Sequence, residues 1–124
     1  TPVIRNANNK TVAEIAEEVQ ALAARAQNGS LKMDEILGGT FSISNLGMYG
    51  VGQFDAIINP PQCAILAIGS AKPQPIIKDG DIAIATVMRV TLSLDHRAID
   101  GATGAQFLGV LKEKLQNPGH LIEL

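Results

Sequence analysis

Three side chains in this sequence have the type and setting to do chemistry. His96 stands where a strand-like run ends and a helical pattern begins, and it is one of only two histidines in 124 residues. A side chain at such a junction is fixed by the scaffold yet open to a ligand. An imidazole there can exchange a proton near neutral pH, although a hydrogen-bonded structural histidine fits the same position. Ser44 lies in the alternating segment Thr40 to Asn45, with Ser42 on the same face and Phe41 and Ile43 on the other. Alternation alone does not choose between the two serines, and it equally describes polar residues on a wet strand face. Asp100 precedes Gly101 and the last helical run, which suits a helix N-cap.

The surrounding pattern supplies the elements that would hold these groups. Thr11 followed by Glu14 makes a capping box. Val12, Ile15, Ala16, Val19, Leu22, Ala23 and Ala26 then recur at helical spacing up to the stop Asn28-Gly29. A helix over 12–27 is the expectation, with a short helical turn near Asp34 to Leu37 and a brief strand at Thr1 to Ile4. Cys63 to Gly69 is continuously apolar, as a buried central strand would be. Asp79-Gly80 predicts a hairpin between Gln74 to Lys78 and a run from Ile82 to Leu94. That run keeps apolar residues at even positions but is long for a strand, so a bend or bulge is expected within it. A last helix starts at Asp100 or Gly101, with Phe107, Leu108, Leu111 and Leu115 as its buried stripe, and stops at Asn117-Pro118-Gly119.

Composition bounds the options. The length suits one domain burying about two-thirds of its unfolded surface. Hydrophobic residues make up 46% and aromatics 3%, with no Trp, so the core rests on Ala, Ile, Leu and Val. Few aromatics disfavour stacking on single-stranded nucleic acid. A net charge of −2 without a basic run disfavours a phosphate-backbone binder. Cys63 is the single cysteine, which excludes an internal disulfide or a cysteine cluster for zinc and suits a reducing compartment. Its apolar neighbours suggest a buried, inert thiol. No run is long and apolar enough to read as a membrane span. The glycines between Asn45 and Gln62 do not fit a nucleotide-phosphate loop, although a connection this long is often functional.

Two motifs carry a family resemblance. The segment DHRAIDG, residues 95–101, resembles the active-site signature of the dihydrolipoyl acyltransferases, the core subunits of 2-oxo-acid dehydrogenase complexes. Upstream, GGTFSISNLGMYGVGQFDAIINPPQCAILAIG resembles the same family at the matching distance. The resemblance covers nearly all of residues 1–124, but only the C-terminal part of that family's catalytic domain. It implies an α/β two-layer sandwich, a mixed sheet with helices on one face, like chloramphenicol acetyltransferase. It also implies the activity: an acyl group passes from a dihydrolipoyl thioester to coenzyme A. The signature looks most like the acetyl-transferring branch of the pyruvate dehydrogenase complex. The alternatives are succinyl or branched-chain specificity, or a non-catalytic core component of the same fold.

The resemblance also assigns roles. His96 would be the general base. The thiol of coenzyme A should titrate near 8.5, so only about 3% is thiolate at pH 7, and a neutral imidazole can take its proton as sulfur attacks. Ser44, 52 residues before His96, would donate to the oxyanion of the tetrahedral intermediate. Asp100 would hold the active-site turn in shape and polarity. A serine-protease reading fails, because Ser44 lies in a strand with no G-x-S-x-G elbow. Arg97 reads as a structural ion-pair residue, and Asp95 is open between similar roles. Family members form homotrimers that build cubic or icosahedral cores, with base and serine on neighbouring subunits. Ser44 and His96 should therefore be apart within one chain, and the tail 121–124 should contact another trimer. The lipoyl group, and the segment binding the partner enzymes, would lie on parts not in this chain. So would the first half of the catalytic domain, which should supply part of the sheet and of the coenzyme A channel, so the resemblance implies that the fragment alone can be inactive. Bacterial cytoplasm or mitochondrial matrix is the implied location.

Overall fold

The run Ala64–Ile68 forms β2, the central strand of a three-stranded sheet flanked by β1 (Ser42–Asn45) and β5 (Val90–Leu94), in the order β1-β2-β5. A central strand covered on both faces needs apolar side chains throughout, and Ala64, Ile65, Leu66 and Ala67 are each less than 8% exposed. β1 runs parallel to β2, and β5 runs antiparallel to it, so the sheet is mixed as expected. The structure, a computed structural model, describes residues 1–122; residues 123 and 124, the end of the expected tail contact, and the side chain of His120 lie outside it.

β3 (Lys72–Lys78) and β4 (Asp81–Val87) form a separate antiparallel hairpin. Asp79 and Gly80 both take positive φ, 54° and 84°, as a two-residue turn of type I′ requires. The break expected in the long run falls at Met88-Arg89, between β4 and β5. It also ends the common even-numbered face. Ile82 and Ile84 are 78% and 81% exposed, whereas Ala83, Ala85 and Val87 are the covered residues of β4. The two strands lie in different sheets, so no single buried side runs along both.

Residues 41–105 form one compact unit; residues 1–40, with the chain from Gln106 onward, form another. In the latter, α1 (Val12–Gln27) matches the expected helix to its ends. The Glu14 amide donates to Thr11 Oγ1 at 3.2 Å and the Thr11 amide to Glu14 Oε2 at 2.7 Å, closing the capping box. Of the expected apolar stripe, Leu22 is buried, but Val12 and Val19 are 61% and 49% exposed. The covered side is shared with charge: Glu18 pairs with Lys10, and Arg25 with Glu35 at 2.6 Å. The turn near Asp34 is a 3-10 turn over Met33–Glu35. It is held by the Arg5 guanidinium, which donates to the carbonyls of Asp34 and Leu37, and by the Val3 amide, which donates to that of Glu35. Residues 1–4 are thus tied to a turn and form no strand.

α2 (Gly101–Gln116) starts and stops where expected. Its stripe is only partly covered: Leu108 and Leu111 are half-buried, while Phe107 and Leu115 are 44% and 49% exposed. Gly104 is the buried residue of this helix, because its α-carbon faces the Leu92 and Leu94 side chains of β5.

Candidate functional site

Ser44 reaches its position through strand pairing. It sits opposite Ala67 on β2, which in turn sits opposite Thr91 on β5. The covered face of β1 carries Ser42 and Ser44, and the other face is exposed, with Ile43 at 61% and Asn45 beside it. This inverts the wet-face expectation for a strand with alternating serines. The two serines then divide. Ser42 Oγ donates to Gln62 Oε1 at 2.5 Å, whereas the Ser44 hydroxyl has no hydrogen bond among the described residues. A half-buried hydroxyl with an unused proton can donate to an incoming oxygen.

His96 occupies the turn that follows β5 and is exposed. Its ring makes no hydrogen bond or ion pair among the described residues, so a ligand can reach it. Leu94, where β5 ends, is two strands across from Ser44 and three residues along it, about 10 Å in each direction. Ser44 and His96 are therefore apart within the chain, as expected from the resemblance.

The turn around His96 is built by its neighbours. The Asp95 amide donates to the Cys63 carbonyl at 2.8 Å, and the Asp95 carbonyl accepts from the amides of Ala98 and Ile99 at 2.9 and 3.0 Å. Asp95 Oδ1 accepts from the Arg97 amide at 3.0 Å, and its Oδ2 from Arg97 Nη2 at 2.7 Å. These bonds from the Arg97 guanidinium and amide hold the Asp95 carboxyl down at about 2. Arg97 is thus the ion-pair residue expected, and Asp95 is its partner. Only the D-x-R spacing around the histidine hinted at this closure. Cys63, expected to be buried, is half-buried.

Asp100 is the N-cap. Its Oδ1 accepts from the Thr103 amide at 2.7 Å, and its carbonyl accepts from the Gly104 amide at 3.1 Å. The Thr103 amide keeps the carboxyl below the usual range. Capping therefore accounts for Asp100 before any further role is assigned. Among the described residues, no cluster of His, Cys, Asp and Glu could hold a metal ion, and no helix is long and apolar enough to cross a membrane.

The family model for the 2-oxoacid dehydrogenases acyltransferase (catalytic domain) matches residues 1–123. The dihydrolipoyllysine-residue acetyltransferase component of the pyruvate dehydrogenase complex of Rickettsia conorii is 48% identical over 118 residues, covering 95% of this chain and 29% of that protein. A probable dihydrolipoamide acetyltransferase from Listeria monocytogenes superposes with a TM-score of 0.91 at 40% identity, over 94% of this chain and 50% of that one. The cubic core of a pyruvate dehydrogenase multienzyme complex gives 0.87 at 38%, over 92% of this chain and 47% of that one. The dihydrolipoamide acetyltransferase of Azotobacter vinelandii gives 0.87 at 39%, over 92% and 47%. In that protein a serine, a histidine and an asparagine were investigated for their role in the catalytic mechanism. Their order and separations are repeated here by Ser44, His96 and Asp100, 52 and 4 residues apart, with Asp in place of Asn. The chain thus spans less than a third of this curated relative and about half of these solved chains.

Proposed function

The chain belongs to the 2-oxoacid dehydrogenase acyltransferase family and shares the α/β fold of its catalytic cores, and on that premise we propose that it transfers an acetyl group from S-acetyldihydrolipoamide to coenzyme A within the core of a pyruvate dehydrogenase complex. Residues 1–124 then form the C-terminal part of the catalytic domain. The observation that carries this reading is the triple of Ser44, His96 and Asp100. It has the spacing of the residues investigated in the Azotobacter enzyme, and here it offers a free hydroxyl, an accessible imidazole and a capped turn.

In this mechanism His96 takes the proton of the coenzyme A thiol as sulfur attacks the thioester carbonyl. The C–S bond to coenzyme A forms, and the carbonyl electrons move to oxygen. The Ser44 hydroxyl donates to that oxyanion. Collapse of the intermediate breaks the bond to the dihydrolipoyl sulfur, which leaves with the proton held by His96. A positioned base contributes about 10²–10⁴-fold, and one oxyanion donor about 10²–10³-fold. Asp100 sets the turn from which His96 projects.

The separation of Ser44 from His96 supports a site shared between copies, with the serine of one subunit facing the histidine of the next in a homotrimer. Exposed Leu121 and Ile122 are suited to contacts between such trimers. The lipoyl arm and the segments that engage the partner enzymes belong to regions beyond this sequence. The location that goes with this reading is the bacterial cytoplasm or the mitochondrial matrix.

The test is acetyl transfer from dihydrolipoamide to coenzyme A by the whole protein. His96→Ala should assemble normally and lose turnover. Equal rates would instead support a non-catalytic core component. Mixing inactive His96→Ala and Ser44→Ala chains before assembly should restore part of the activity, because some interfaces regain both groups. No recovery would confine the two residues to a single copy and overturn the shared site. A faster rate with a succinyl or branched-chain thioester would reassign the acyl group.

A further inference from the structure

His96 makes no side-chain bond among the described residues, so its direction is imposed by the residues on either side. We propose that Asp95 is a positioning residue that closes the chain around His96 and thereby fixes where the imidazole points; this rests on the reading of His96 as the base. Four connections converge on Asp95. Its amide ties the turn to the Cys63 carbonyl, next to the central strand. Its carbonyl gathers the amides of Ala98 and Ile99, which bends the chain back immediately after the histidine. Its Oδ1 accepts from the Arg97 amide, bridging over His96. Its carboxylate also holds the Arg97 guanidinium, with Nε at 3.0 and 3.2 Å from the two oxygens.

The bond to the Arg97 amide is the one that matters for geometry. An Asp side chain that bonds the amide two residues on makes an Asx-turn, which restrains the intervening residue. Here that residue is His96. The ion pair itself contributes little, because the Arg97 side chain is 90% exposed while that of Asp95 is 22% exposed. Asp95 is therefore an inner peg for the turn, and Arg97 lies over it from outside. Displacing a reacting group by about 1 Å can cost about 10²-fold in rate, so a loose turn should impair proton transfer without impairing substrate binding.

The test is a mutant cycle in the whole protein, reading kcat and KM separately. Asp95→Ala should lower kcat by about 10–10²-fold with KM for coenzyme A unchanged. Asp95→Asn keeps an oxygen acceptor for the Arg97 amide and should restore most of that loss. In the His96→Ala background, Asp95→Ala should cost nothing further, because the residue acts only through the imidazole. A merely structural role would instead reduce the residual rate in both backgrounds. Wild-type kcat in Asp95→Ala, an equal loss in both backgrounds, or an Asp95→Asn rate as low as that of Asp95→Ala would each overturn the proposal. Should Asp95→Ala not fold, Asp95→Ser, which keeps a shorter acceptor, should give an intermediate kcat, and a wild-type kcat there would overturn it. A fully active His96→Ala would remove the base reading and this proposal with it. An inactive His96→Ala beside an indifferent Asp95→Ala would remove the positioning role alone.

Discussion

The junction 95–101 and the segment 42–52 carry the two halves of the proposed chemistry and are held by opposite means. At the junction nearly every bond closes within a few residues: Asp95 to Arg97, Ala98 and Ile99, then Asp100 to Thr103 and Gly104. One long-range bond, from the Asp95 amide to Cys63, attaches it to the sheet. The segment around Ser44 depends on distant chain. β1 is paired to β2, the Leu46 amide donates to Ile68, and the Ser70 amide donates to Val51. Its backbone passes so close to β2 that a Cβ on Gly69 would lie 2.1 Å from the Gly52 carbonyl oxygen, and one on Gly47 would lie 2.8 Å from that of Gly69. The difference teaches where damage should appear. Changes at the junction should alter rate while the fold survives. Changes beside β1 should disturb the sheet and the serine together.

The largest effect expected from this contrast is on rate at the junction. His96→Ala should lose about 10²–10⁴-fold in turnover with an unchanged thermal midpoint. A parallel loss of folding would erase the distinction between the two regions. Next, Ser44→Ala should lower kcat by about 10²–10³-fold. Ser42→Ala should lower it far less, because the Ser42 hydroxyl is already bonded to Gln62. Reversed sizes in the same assay would move the oxyanion role to Ser42.

Stability should separate the regions further. Gly69→Ala forces a methyl against backbone and should cost about 1–3 kcal/mol in denaturant unfolding. Gly104→Ala, at the junction's helix, meets the tip of the Leu94 side chain at 2.5 Å, which can rotate away, so it should cost less. The smallest effect concerns acid. Asp95 and Asp100 have carboxyls depressed in the folded chain, Asp95 from 3.8 to about 2. Their contribution is complete above the unfolded value and is lost as pH falls through the folded one. The midpoint should therefore drop from about pH 4 downward, and less steeply in Asp95→Asn and Asp100→Asn. An unchanged acid slope in both variants would show that these bonds do not restrain the junction.

Much of the molecule was legible in advance for the same reason that the junction is self-contained. The capping box at Thr11, the Asp79-Gly80 turn, the apolar run of β2 and the cap at Asp100 each follow from residues within a few positions of one another. The motif around His96 identified the base candidate because its chemistry and its turn occupy one short stretch. Burial was less legible. Val12, Val19, Phe107 and Leu115 have helical spacing but remain substantially exposed, since periodicity fixes which residues share a face and not whether a neighbour covers it. Alternation in β1 failed in the same way: it aligned the serines and left open which side would be covered.

The sequence by itself determined the helices, the hairpin turn and the central strand, because these depend on short-range sterics, hydrogen bonding and apolar continuity. Only the tertiary structure decided the β1-β2-β5 order, the division of β4 and β5 between two sheets, and the contrast between a bonded Ser42 and a free Ser44. Those depend on which distant backbone segments pair, and pairing places Ser44 two strands away from β5 and the turn that bears His96.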